Sequence, residues 1–142
     1  MYDIEGSLDR QILACPRHRP TVVFSEPTDP RVLEAAFHLV RFVRPVFLAS
    51  EGAVRQVLQR ELPDMDGNRV EYAMSESSFV DPAAHPELLE EFAGEYRSLC
   101  ASEGNPVSLQ EARRFVGLPG PFGIMAARLG HADAVVGGAV HG

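Results

Sequence analysis

Two places in this chain carry residues that could hold a ligand. Glu26 stands just after an apolar run, Thr21 to Phe24. A carboxylate there can orient a bound group or accept hydrogen bonds from loop amides. Gly137 and Gly138 follow a second apolar run, Ala132 to Val136. Without a Cβ, such a pair lets backbone N–H groups approach an anion closely. Asp29 and Arg31 could reach the same region. The preferred reading has Asp29 capping the next helix and Arg31 pairing with Glu34 at i,i+3.

Other chemistry is excluded or has no support. All 13 basic residues are Arg, so neither a Schiff-base lysine nor a P-loop lysine exists. His18, His38, His85 and His131 have no metal-ligand spacing, and Cys15 and Cys100 form no metal or redox pattern. No metal is expected. Cys100 falls on an apolar helix face and reads as a buried, inert thiol. The cluster Glu87, Glu90, Glu91 and Glu95 reads as a solvated helix face. No G-x-G-x-x-G follows any strand, which argues against a dinucleotide-binding domain.

Elements that could position these residues alternate along the chain. Residues 1–20 read as an N-terminal extension or a short helix, Leu8 to Ala14, ended by Pro16 and Pro20. Residues 21–142 read as one α/β domain. Strands are expected at Thr21 to Phe24, in "PVFLAS", in "RVEYAM" and at Ala132 to Val136, with "SESSFVDPAAHP" as a loop. A helix after Asp29 carries Val32, Leu33, Ala36, Phe37 and Val40 at helical spacing. Ser50 caps a second helix, Glu51 to Leu62. Further helices are expected from Pro86, from Ser108 to Val116 with "SLQE" as a capping box, and from Pro121 to Leu129 with Gly130 as its C′ residue. Short apolar strands alternating with amphipathic helices predict a three-layer domain, its parallel sheet covered by helices on both faces. In such sheets, ligands bind beyond the carboxyl ends of the strands.

The totals agree with one ordinary globular domain. The chain has 142 residues, 45% hydrophobic and 23% charged. Twenty acidic against 13 basic residues give a net charge of −7, which disfavours nucleic acid as a partner. No run is long and apolar enough to span a membrane, and the start lacks the pattern of a signal peptide. A cytoplasmic location with two free thiols is the expectation.

Two stretches together resemble the phosphate acetyl/butyryltransferase family. "VVFSEPTDPRVLEAA" resembles its apolar strand, Pro-Glu-Gly, acidic residue and Arg-Val-Leu-x-Ala-Ala. "PFGIMAARLGHADAVVGGAVHG" resembles its Met-rich helix, Gly, Ala-Asp-Gly and Ser-Gly-Ala-x-His turn. Ser25 stands where the pattern has Pro, Pro27 where it has Gly, and Gly137 where it has Ser. Cys100 stands where a Glu-Leu-Arg segment supplies a phosphate-contacting Arg. The match covers roughly residues 20–142, less than half of a complete family catalytic domain.

The resemblance implies the first subdomain of a fold like that of isocitrate and isopropylmalate dehydrogenases. It implies acyl transfer between coenzyme A and phosphate, with acyl-CoA, acetyl phosphate or another acyl phosphate, and phosphate as partners. No covalently bound cofactor is implied; coenzyme A or acyl-CoA is substrate or ligand. It adds Ala139 and His141 to Glu26, Gly137 and Gly138 as substrate-binding residues, with a frayed terminal residue as the competing reading of His141. No catalytic residue is assigned. The match stops inside the glycine turn, so a truncated amino-terminal portion, inactive alone, is expected. Two alternatives stay open. One is a non-catalytic acyl-CoA or phosphate sensing module, as in the C-terminal domains of malic enzymes. The other is an interaction module, either a homo-oligomer or one chain of a pair whose partner supplies the missing half.

Overall fold

Among the described residues the sheet is built from four short strands, of which the first is the most buried. β1 (Thr21–Phe24) pairs with β2 (Arg44–Phe47) on one side and β4 (Ala134–Val136) on the other, while β3 (Ser78–Phe79) adds to the far edge of β2. The order is β3-β2-β1-β4, and every pair is parallel. Val22, Val23 and Phe24 are all buried, as expected for a parallel strand covered on both faces. This structure is a computed structural model, and it describes residues 19–137. The expected helix at Leu8 to Ala14 lies outside the described residues.

Alternation along β1 and β2 divides the interior into two cores. Val22, Phe24 and Phe47 face α1 (Pro30–His38), α2 (Glu51–Glu61) and α3 (Gly67–Ser75). Val23 and Leu48 face α4 (Pro86–Ser102), α5 (Leu109–Val116) and α6 (Pro119–Arg128). The result is the expected three-layer α/β arrangement.

Caps set most helix ends. Asp29 accepts from the Arg31 amide at 2.9 Å, Ser50 from Ala53 at 3.1 Å and Ser108 from Glu111 at 3.0 Å. Gly130, at φ +83°, closes α6 in the left-handed conformation that favours glycine. At the opposite end of the sheet from the carboxyl edge, the Asp133 carboxylate accepts from the Thr21 amide at 2.8 Å, and the Asp133 amide donates to the Thr21 carbonyl at 2.8 Å. These two bonds lock the start of β4 to the start of β1.

Four expectations need correction. "RVEYAM" is not a strand but most of α3. Its buried residues, Ala73 and Met74, follow half-buried Val70 at i+3 and i+4, whereas a strand would put Tyr72 on the face of Val70 and Met74, and Ala73 on the other. Tyr72 is 49% exposed, consistent with about 200° of helical rotation from Val70. The third strand lies inside the expected loop, followed by a 3₁₀ turn at Pro82–Ala84. α6 starts at Pro119 rather than Pro121, because the first turn of a helix needs no N–H from either proline. Finally, Arg31 pairs with Asp29, not Glu34, with Nη2 2.9 Å from Oδ2.

The acidic face of α4 is also more connected than a merely solvated face. Glu90 pairs with Arg113 of α5 at 2.5 Å, Glu91 with His131 at 2.8 Å and Glu95 with Arg128 of α6 at 3.3 Å. Each pair is solvent-exposed and individually weak; their effect is to favour one seating of α5 and α6 on α4. Cys100 is half-buried rather than buried. Its hydrogen bond to the Tyr96 hydroxyl pushes that phenol above its ordinary range.

Acid sensitivity follows from the paired carboxylates. The Arg31 guanidinium and amide hold Asp29 below its ordinary value, and Arg55 and Arg113 do the same for Glu71 and Glu90. A carboxylate that binds its proton more weakly when folded contributes stability that is complete above its unfolded pKa. That contribution disappears as the pH falls through the folded value. Asp29→Asn keeps a capping oxygen but removes the charge. Its melting temperature is therefore expected to fall at pH 7 and to converge on wild type in acid. Parallel curves across that range in circular dichroism melts would contradict this.

Candidate functional site

The carboxyl ends of β1, β2 and β4 open into a cleft of about 860 Å³. One wall is the loop after β1: Ser25, Glu26, Pro27 and Thr28. Leu48 follows β2 and forms the floor. The start of α6 supplies the opposite wall through Leu118, Pro119, Gly120, Pro121 and Ile124, and Val135 and Gly137 complete it from β4. This size and largely apolar lining suit a small organic ligand.

α6 can lean over the strand ends because of Gly123. A Cβ there would lie 2.7 Å from Val135 Cγ2 and 3.3 Å from Val23 Cγ1. The helix backbone thus rests directly on the valines of β1 and β4. Its N-cap, Leu118, offers no side-chain bond. Pro119 and Pro121 have no N–H, which leaves Gly120 to present an amide at this helix start.

The loop after β1 is fixed to β4. The Ser25 amide donates to the Val136 carbonyl at 2.9 Å, and the Ser25 hydroxyl reaches the same oxygen at 3.3 Å. Ser25 is 2% exposed. A Cβ at Gly137 would fall on Ser25 Oγ, so the serine hydroxyl occupies the space that a side chain at 137 would take.

Glu26 and Gly137, both named from the sequence, are brought to the same cleft. Gly138, Ala139 and His141 lie outside the described residues. Asp29 sits beside the loop, 8% exposed, capping α1 and holding Arg31. Cys100 is not among the lining residues, and nearby Arg97 donates to the Val107 carbonyl at 3.3 Å. Ser25 and the α6 wall were not named from the sequence. The available signal was the segment Leu118-Pro119-Gly120-Pro121, two prolines and a glycine where an apolar helix begins.

The electrostatics of the cleft are simple. Among the described lining residues, Glu26 is the only ionisable side chain and none is an arginine. These walls suit an uncharged, partly apolar group better than a bare phosphate, whose oxygens call for cations. Among the described residues, no group of three or more His, Cys, Asp or Glu side chains could hold a metal, and no helix is long and apolar enough to cross a membrane.

Comparison with known proteins gives a consistent result. The family described as phosphate acetyl/butaryl transferase matches residues 8–142. A phosphotransacetylase from Streptococcus pyogenes is similar at 27% identity and TM-score 0.69, over 99% of this chain and 40% of that one. The EutD phosphotransacetylase from Staphylococcus aureus is similar at 26% identity and TM-score 0.70, over 96% of this chain and 37% of that one. The chain thus spans about two fifths of the length of these relatives.

Proposed function

Since this chain belongs to the phosphate acetyl/butyryl transferase family, we propose that its cleft is one wall of a site for acyl transfer between coenzyme A and phosphate. The observation that carries the proposal is the cleft's composition: an apolar lining at the strand ends, with Glu26 on one side and Gly137 on the other. The apolar wall takes the acyl group and the uncharged arm of coenzyme A. Glu26 accepts a hydrogen bond from an N–H or S–H of that arm. Gly137 stands on the phosphate side of the cleft, and Gly138, Ala139 and His141 are proposed as further substrate-binding residues.

Phosphoryl oxygens are held by cations and by donors aimed at developing charge. Among the described residues no cation lines this wall, so those groups are proposed to come from another part of the site. The 142-residue chain is therefore proposed to bind coenzyme A or acyl-CoA without catalysing transfer. A cytoplasmic location is part of this reading.

The test is to mix the purified chain with acetyl phosphate and coenzyme A and to follow thioester formation and binding heat. The expected result is calorimetric binding of coenzyme A, none of inorganic phosphate, and no thioester above the uncatalysed rate. Robust turnover would contradict the partial site, and absence of coenzyme A binding would contradict the cleft assignment. The missing cation also favours a second reading, a non-catalytic acyl-CoA sensing module. That reading predicts tighter binding of acetyl-CoA than of coenzyme A.

A further inference from the structure

We infer that Ser25 is a ligand-binding residue, its hydroxyl turning from the Val136 carbonyl to donate to a carbonyl oxygen of the bound acyl or amide-bearing arm. This rests on the proposed use of the cleft. Three observations carry it. First, Ser25 is 2% exposed yet lines the cavity, so its hydroxyl meets a ligand in a water-poor setting. There a hydrogen bond counts for more than at the surface.

Second, its present partner does not need it. The Val136 carbonyl already accepts from the Ser25 amide at 2.9 Å, and the hydroxyl bond to the same oxygen is long, at 3.3 Å. Hydroxyl bonds prefer about 2.7–2.8 Å. Turning the hydroxyl away leaves no buried carbonyl unpaired.

Third, the space around the hydroxyl is kept by Gly137. A Cβ at that position would fall on Ser25 Oγ but would lie 3.3 Å from Ser25 Cβ. Any side chain at 137 therefore displaces the hydroxyl and asks the rest of the serine to give by only a few tenths of an ångström. Among the described lining residues, the other side-chain donor is the Thr28 hydroxyl, on an exposed loop residue. Glu26 can only accept when ionised. Ser25 is thus the buried side-chain donor of this cleft.

The test measures coenzyme A affinity by calorimetry and unliganded melting temperature for four forms of the full chain. Ser25→Ala should weaken coenzyme A about fivefold to tenfold while leaving the melting temperature close to wild type. Gly137→Ala should lose both affinity and melting temperature. The double variant should regain melting temperature relative to Gly137→Ala, because the hydroxyl that clashed is gone, but should not regain affinity. Affinity that follows melting temperature across the set would show a purely structural serine and overturn the inference. So would wild-type affinity in Ser25→Ala. A wild-type chain that binds no coenzyme A would overturn the proposed use of the cleft, and the Ser25 assignment with it.

Discussion

Phe47→Ala is expected to lower stability by about 3–5 kcal/mol, a large share of the roughly 5–15 kcal/mol that holds a typical domain folded. Phe47 is fully buried. Its ring centroid lies 5.6 Å from Phe24 of β1, 6.2 Å from Phe37 of α1 and 5.8 Å from Phe79 of β3. One side chain thus joins two neighbouring strands to the helix layer above them. Its removal leaves a cavity bounded by three rings that belong to separate elements, and the main chain of β2 cannot shift to fill it without breaking register with β1 and β3. Phe47→Leu keeps most of the volume and is expected to lose much less. Urea unfolding curves measure both; an alanine variant within about 1 kcal/mol of wild type would mean that Phe47 does not hold this core.

Gly123→Ala is the second large effect, and it acts through excess volume rather than a void. The added methyl would stand 2.7 Å from Val135 Cγ2 and 3.3 Å from Val23 Cγ1. Both are β-branched side chains, with few rotamers available, on adjacent strands of the sheet. Relief must come from lifting α6. Overpacking of this kind costs about 1–3 kcal/mol, and lifting α6 also widens the cleft, since its first turn is one of the walls. Pairing Gly123→Ala with Val135→Ala removes the closest contact and should restore part of the stability. A double variant no more stable than Gly123→Ala alone would place the conflict elsewhere.

The parallel sheet was readable because "TVVF" and "PVFLAS" are apolar without alternation, the pattern of strands covered on both faces. β3 was not readable. A two-residue strand has no period, and Ser78 and Phe79 are extended because β2 offers them partners at Val46 and Phe47. The error over "RVEYAM" has the same origin. Val70, Tyr72 and Met74 fit a strand by type, and only the packing of Ala73 and Met74 against the first core decides for a helix.

The candidate site was partly readable for a related reason. Glu26 and Gly137 follow strands, so chain order alone places them at the carboxyl edge. Ser25 stood out only as a departure from the family pattern, because nothing in the sequence says that its hydroxyl meets Gly137 across the β1–β4 pair. The wall made by Leu118 to Ile124 depends on how far α6 leans over the sheet. That lean is set by Gly123 against Val135, a contact between residues 12 positions apart.

The cleft at the ends of β1 and β4 is proposed to receive the coenzyme A side of an acyl-transfer reaction. A coenzyme A titration of the isotope-labelled chain, followed amide by amide in NMR spectra, tests this role most directly. Saturable shifts are expected, concentrated at Ser25, Glu26, Thr28, Gly120, Ile124 and Gly137. Little change is expected along the outer face of α2 and α3. Saturable shifts centred on that outer face, or no shifts at millimolar coenzyme A, would contradict this role.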